Sequence, residues 1–388
     1  MGWWSNFDRA EVRDDFDLIR DLGLTTVRIF LMWEEFQPAP DRVASRMLDN
    51  LVAVADAASD RGLGLDVTFF TGHMSGPNWV PGWLLDPQAA SPPGRLRVIS
   101  GGREVRGGYR NPYVDPLALA AERLLLREVV GSLDDHPGVW LWNLGNEPDL
   151  FALPPSASAG AAWAASMTET IREVDPQRPI TIGLHLPSLE ADNGLRVDQV
   201  FETCTFSAMH AYPIYADWAD GPTDPELVPF ACALTAALSG KPALAEEFGA
   251  ATAPPGERSQ TLRWQVDGVE RRQLLLSEDD LARSMEDVLP RLVEVGAVGA
   301  MPWCFADYDP SLWRRPPLDH AWHERSFGLI RADGSLKPHA EALRAFAATN
   351  PQVREPSARA RLDVSGAEYY EDPKRTLIDL YRRFREDS

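Results

Sequence analysis

The 388-residue chain is poor in cysteine: Cys204, Cys232 and Cys304 are too few and too scattered for a disulfide framework or a zinc cluster. A reducing compartment is the default expectation, with neither a metal nor a cofactor. Basic residues are also short, with Lys plus Arg at 38 against Asp plus Glu at 58, a net charge of −20 that opposes binding to nucleic acid or an anionic membrane. A neutral or cationic ligand suits that surface better. No apolar run approaches the ~20 residues of a membrane span. The opening Met1-Gly2-Trp3-Trp4-Ser5-Asn6 lacks the basic and apolar regions of a secretory signal, so the chain as written is expected to stay in the cytoplasm. Internal repeats and low-complexity tracts are absent. Hydrophobic residues at 44% and charged residues at 25% are ordinary globular usage and exclude wholesale disorder.

What the chain has in quantity is tryptophan, 13 in all, several of them in loops beside Gly, Pro and Asn. Such rings stack on the apolar faces of sugars, although large aromatics also serve as core and interface mass. Helical and strand patterns alternate. Val12, Phe16 and Ile19 lie at helical spacing over 8–22, with Asp8 as N-cap and Gly23 as stop, and an apolar strand follows at 25–30. The same unit recurs with helices over 43–59, 116–133, 161–174, 225–238 and 278–295, and strands over 65–70, 139–143, 180–184, 205–210, 243–248 and 298–305. Short, uniformly apolar strands are buried on both faces, as in a parallel sheet, and the alternation predicts an α/β fold.

Two stretches break this rhythm, each after a strand: 71–114, with a hairpin expected around Gly101-Gly102, and 252–276, with a hairpin around Asp267-Gly268. In a (β/α)8 barrel the loops after the strands build the active-site face, so such insertions would wall a cleft; ordinary surface loops are the alternative. The simplest organisation is one domain over 1–350 and a C-terminal tail over 351–388 with its own helix at 373–384.

Two acidic segments carry chemistry. Trp142-Asn143-Leu144-Gly145-Asn146-Glu147-Pro148 sets a carboxylate directly after an apolar strand, and Lys241-Pro242-Ala243-Leu244-Ala245-Glu246-Glu247-Phe248-Gly249 does so again. Opposed carboxylates at strand ends are the apparatus of glycoside hydrolysis, one giving a proton to the leaving oxygen and the other attacking. By spacing alone each acid could equally be a surface charge or a structural ion-pair partner. Successive strand residues point to opposite faces, so only one of Glu246 and Glu247 can enter the barrel mouth. Glu247 shares its face with Ala243, Ala245 and Gly249, which suits a crowded mouth and leaves Glu246 for a structural pair.

Asn146-Glu147-Pro148 after Trp142, with Glu247-Phe248-Gly249 after Lys241-Pro242, resembles the motifs of clan A glycoside hydrolases, specifically glycoside hydrolase family 5. The resemblance implies a (β/α)8 TIM barrel and a retaining β-glycosidase, with Glu147 as acid/base and Glu247 as nucleophile after the fourth and seventh strands. It implies further that Arg28 of the second strand supports the nucleophile, that His73 follows the third strand, that Asn146 binds the sugar 2-hydroxyl, that His210 and Tyr212 form the His-x-Tyr pair after the sixth strand, and that Trp303 is the platform under the reacting sugar. Trp79 in the first insertion is a binding candidate or part of a lid packed on its own Trp residues, and Asp307 could bind a sugar hydroxyl or be merely solvated. The stretches 323–329 and 333–338 resemble the closing rim of related barrels.

The overall pattern looks most like the mannanase and β-mannosidase side of the family, which implies β-mannosidic bonds in oligo- or polysaccharides; cellulase-type β-1,4-glucan cleavage is the alternative. A reading from another class is a non-catalytic carbohydrate-binding barrel. Only seven strands are found, the family's first strand having no counterpart in 1–7, so the first strand is expected to be missing or irregular and the native start to lie upstream of Met1. An incomplete barrel would leave strand edges unpaired.

Overall fold

A computed structural model describes residues 2–90, 92, 94 and 96–386. Seven parallel strands alternate with helices, the α/β pattern expected from the sequence. They are β1 (Thr26–Met32), β2 (Gly64–Thr71), β3 (Val139–Asn146), β4 (Ile180–His185), β5 (Ser207–His210), β6 (Ala243–Phe248) and β7 (Ala300–Pro302). The long helices are α1 (Arg9–Asp21), α2 (Ser45–Ser59), α3 (Pro116–Ser132), α4 (Ala157–Arg172), α5 (Leu227–Ser239), α6 (Glu278–Glu294), α7 (Pro338–Ala347) and α8 (Pro373–Glu386). This is the architecture of a (β/α)8 barrel, and among the described residues no strand precedes α1. The chain divides into two compact units, Met1–Ser188 with Asp192–Ser207, and Leu189–Ala191 with Ala208–Ser388.

In the first unit β1, β2, β3 and β4 pair in parallel in that order, in registers Val27↔Leu65, Leu65↔Val139 and Trp142↔Ile180. The local sequence explains the helices between them. Asp8 Oδ1 accepts from Ala10 N at 2.7 Å and caps α1, whose buried face is Val12, Phe16 and Ile19. Asp115 caps α3 by accepting from Leu117 and Ala118 N, with Pro116 at the first turn, and Ser156 caps α4. Each such cap stabilises its helix by about 1 kcal/mol. The insertion at 71–114 contains the expected hairpin, Val98–Ser100 against Arg103–Val105, and Val98–Ser100 also pairs in parallel with Asn78–Trp79. Trp79 lies inside it, 6% exposed, its indole N–H donating to Met74 O at 3.2 Å, so the ring is core of the insertion.

In the second unit β5, β6 and β7 are neighbours, with β6 and β7 parallel through Ala245↔Ala300 and Phe248↔Pro302, and Ala211 N donating to Glu247 O at 2.9 Å. Strand β7 is shorter than the apolar run 298–305 predicts, spanning only Ala300–Pro302. The second insertion forms the antiparallel hairpin Gln260–Val266 and Val269–Leu275, turning at Asp267-Gly268 with positive φ at both residues, the geometry of a tight hairpin turn. Residues 352–386 pack within this unit. Phe384 and Tyr381 of α8 lie on Phe230 of α5 at ring distances of 5.4 and 5.0 Å. Arg359 bonds Glu226 at 2.7 Å and Glu294 at 2.9 Å while its guanidinium lies over the Phe384 ring. No helix among the described residues is long and apolar enough to cross a membrane.

Candidate functional site

In the first unit four of the expected residues stand at the C-terminal ends of β1 to β3 or inside them. Arg28 lies in β1 with its side chain buried, Nε donating to Thr68 Oγ1 at 2.9 Å and standing 3.8 Å from Asp66 Oδ2, both on β2. A buried cation survives there because oxygen ligands and a carboxylate replace its water. His73 follows β2, buried, with Nδ1 2.8 Å from Asn78 Oδ1; burial holds its pKa below the ordinary imidazole value, although the Glu147 charge works against this. Gly72 permits the approach of that loop, since a Cβ there would lie 2.4 Å from the Phe151 ring. Asn146, the last residue of β3, donates from Nδ2 to His73 O at 3.2 Å, while its buried Oδ1 has no hydrogen-bond donor among the described residues.

Glu147 follows in the left-handed region, φ 44 and ψ 55, and begins the single turn Pro148–Phe151. That conformation costs a non-glycine residue roughly 1–2 kcal/mol, and strain of this kind gathers where geometry is functional. Its N–H donates to Gly183 O of β4 at 2.9 Å, which fixes the turn. The turn brings Asp149 to one side of His185, whose Nε2 lies 2.9 Å from Asp149 Oδ2 and whose Nδ1 lies 3.7 Å from Glu147 Oε1. Neither Asp149 nor His185 was singled out from the sequence. The available signal was a lone histidine ending an apolar strand, Leu184-His185, which by itself points nowhere.

In the second unit Glu247 accepts from the Tyr212 hydroxyl at 2.9 Å. His210 stands between two acids, its Nε2 3.0 Å from Glu246 Oε2 and its Nδ1 3.5 Å from Glu247 Oε2. Glu246 is fully buried, so its charge depends on such partners. Trp303 follows β7, half-buried, packed with Tyr212 against the cluster of Ala251, Ala253, Leu275 and Phe327. Its backbone N–H donates to Phe248 O at 2.9 Å, and the chain comes so close that a Cβ on Gly249, at φ 144, would lie 2.9 Å from Trp303 O. Asp307 accepts from Lys337 Nζ at 2.7 Å and from Gly328 N at 2.8 Å. Burial pushes the Asp307 carboxyl up and the Lys337 ammonium down, the Coulombic attraction of the pair offsetting part of each shift. Lys337 also bonds Thr252 Oγ1 and Ser326 O, tying three rim loops together.

Comparison with known proteins bears on the fold. Residues 98–276 match the family described as glycosyl hydrolases family 2, TIM barrel domain. A GH5_18 protein from Streptomyces cattleya, known in complex with GlcNAc and, as a single-residue variant, with Manb1-4GlcNAc, superposes with a TM-score of 0.73 at 21% identity, covering 92% of this chain and 79% of that one. The chain shares the TIM-barrel fold of that protein. An exo-beta-1,4-mannosidase from Opitutaceae bacterium strain TAV5 superposes on this barrel with a TM-score of 0.72 at 25% identity, over 94% of this chain and 58% of the mannosidase. A probable mannan endo-1,4-beta-mannosidase F from Emericella nidulans is 24% identical over 181 residues, which are 40% of this chain. The chain thus spans 37% of the length of that curated relative.

Proposed function

We propose that this protein is a retaining β-glycosidase acting on β-mannosidic bonds of short oligosaccharides, with residues 1–350 as the catalytic barrel and 351–388 as an appendage. The observation that carries the reading is that each unit ends a buried parallel strand in a glutamate with partners suited to one role. Glu247, with the Tyr212 hydroxyl donating to it, is assigned as the nucleophile, since a donor favours the charged carboxylate. Glu147 is assigned as the acid/base. In this mechanism Glu247 attacks the anomeric carbon while Glu147 protonates the departing oxygen; water activated by Glu147 then cleaves the glycosyl ester, returning the proton to Glu147 with net retention.

The binding assignments follow the same reading. Asn146 Oδ1, buried and without a donor among the described residues, would accept from a sugar hydroxyl. Trp303 is assigned as the sugar platform, Arg28 and His210 as supports for the nucleophile, and His73 as a neutral donor or acceptor to substrate. The burial of Trp79 and the ion pair of Asp307 favour structural duties for both. The β-mannosidic preference draws on the mannosidases among the relatives.

The test is a panel of aryl β-mannosides, aryl β-glucosides and manno-oligosaccharides, with the anomer of the first product read by proton NMR. β-Mannoside turnover with a β-anomeric product is the expected result. Inversion, or turnover of glucosides alone, overturns the corresponding part of the reading. A liganded crystal structure should set the two carboxyl groups about 5–5.5 Å apart, the spacing of a retaining pair.

A further inference from the structure

The Asp149–His185 contact is not used by the mechanism above. Asp149 is two residues beyond Glu147, and in an extended chain the two side chains would share a face without meeting a common partner. The left-handed Glu147 and the turn Pro148–Phe151 instead fold both acids around one imidazole supplied by the end of β4. Both Asp149 and His185 are at least nine-tenths buried. An ionised carboxylate can only accept, so the 2.9 Å contact requires the hydrogen on His185 Nε2. Asp149 Oδ1 has no donor among the described residues, so the charge of this acid acts chiefly through its bond to the imidazole. With Nε2 protonated, the neutral ring turns a lone pair from Nδ1 toward Glu147 Oε1, 3.7 Å away. That separation is longer than a hydrogen bond, as active-site contacts often are before substrate binds.

We propose that Asp149 and His185 are positioning residues for Glu147: Asp149 fixes the imidazole tautomer so that Nδ1 turns a lone pair and not an N–H toward Glu147, which disfavours the carboxylate and leaves the carboxyl proton for the departing oxygen. A donor at the same place would favour the carboxylate and oppose proton delivery. The proton that leaves Glu147 goes to the departing oxygen in the first step and is replaced from water in the second, so the dyad itself is unchanged over the cycle. His73 faces the same carboxyl and is held neutral by burial, with Nδ1 engaged by Asn78. This inference rests on the assignment of Glu147 as acid/base, and Asp149→Asn tests it. The amide is isosteric but offers N–H to Nε2, forcing the hydrogen to Nδ1 and reversing the bond presented to Glu147.

Two substrates are compared in the full-length protein, a manno-oligosaccharide whose departing oxygen needs protonation and 2,4-dinitrophenyl β-mannoside, whose leaving group does not. The expected result for Asp149→Asn is a fall in kcat/KM of about 10–100-fold on the oligosaccharide and less than about 3-fold on the dinitrophenyl glycoside, within the span general acid catalysis supplies. His185→Ala should show the same split, and His185→Asn, whose side-chain oxygen reaches the position of Nδ1, should recover part of the lost activity. Equal losses on both substrates, or no loss on either, overturn the proposal. Circular dichroism and Tm of each variant separate misfolding from chemistry, and His185→Asn keeps the question answerable if Asp149→Asn does not fold. A wild-type protein inactive on both substrates would instead refute the glycosidase reading itself.

Discussion

The glutamate that follows β3 and the one near the end of β6 sit in environments of the same design and opposite bias. Each has a histidine contributed by the preceding or following strand, and in each case that histidine also meets a second, more deeply buried acid: Asp149 beside Glu147, Glu246 beside Glu247. The difference lies in what else faces the carboxylate. Glu247 receives a phenolic O–H at 2.9 Å, a direct donor to the charged form. Glu147 instead has an imidazole nitrogen at 3.7 Å, and the proposed bond from Nε2 to Asp149 would put the ring hydrogen on the far side. In the proposed reading, the direction of the hydrogen bonds offered to them divides two identical side chains between acid and nucleophile, the same separation of roles that burial and charge achieve in other paired-carboxylate sites.

Removing either end of this comparison should give the largest effects. Glu247→Ala is expected to lower kcat by about 10⁴–10⁶-fold, as loss of a nucleophile does. Azide should restore turnover with inverted product, which NMR of the glycosyl azide would identify. Glu147→Ala should cost about 10²–10⁴-fold on manno-oligosaccharides. Here azide should rescue an activated aryl glycoside with retained configuration, so that the two alanine variants give opposite anomers; the same anomer from both would collapse the division of roles.

A smaller change blurs the contrast without removing a carboxylate. Tyr212→Phe deletes the donor to Glu247, and a hydrogen bond to a charged group contributes about 1.5–3 kcal/mol, or roughly 10–150-fold in kcat/KM. Unlike Asp149→Asn, this variant should slow the dinitrophenyl glycoside as much as the oligosaccharide, because it acts on attack and not on proton delivery. Smallest of all, Trp79→Phe should leave kcat/KM within about 3-fold while costing roughly 1–2 kcal/mol of stability from the lost indole bond to Met74, visible as a lower Tm. A large rise in KM would instead return Trp79 to the sugar site.

The strand-end acids were legible in the sequence because both follow short apolar runs that only a buried strand explains, and the α1 face and its Asp8 cap are as the spacing predicts. Both hairpins were legible through their glycine turns. The Asp149–His185 pair was not, since it depends on a left-handed residue at 147 and on two side chains 36 positions apart meeting across adjacent strands. Nor was the ring burial of Trp79, which follows from a two-residue strand pairing too short to leave a pattern. The service of Lys337 to three loops was hidden for the same reason: nothing in 333–338 announces a lysine turned inward.

Gly249 and the hairpin tip at Asp267-Gly268 set opposite limits on what can be rebuilt around the strand that carries Glu247. At 249 a single added carbon would press on Trp303 O at 2.9 Å, whereas one at Gly268 would meet nothing within 4 Å. Because Asp267 and Gly268 both sit at positive φ, a library that seeks new substrates should leave 249 fixed and replace the 267–268 turn by an inserted loop instead of varying those two residues in place. There the strand pair Gln260–Val266 and Val269–Leu275 would carry the new sequence without disturbing the residues that hold Glu247.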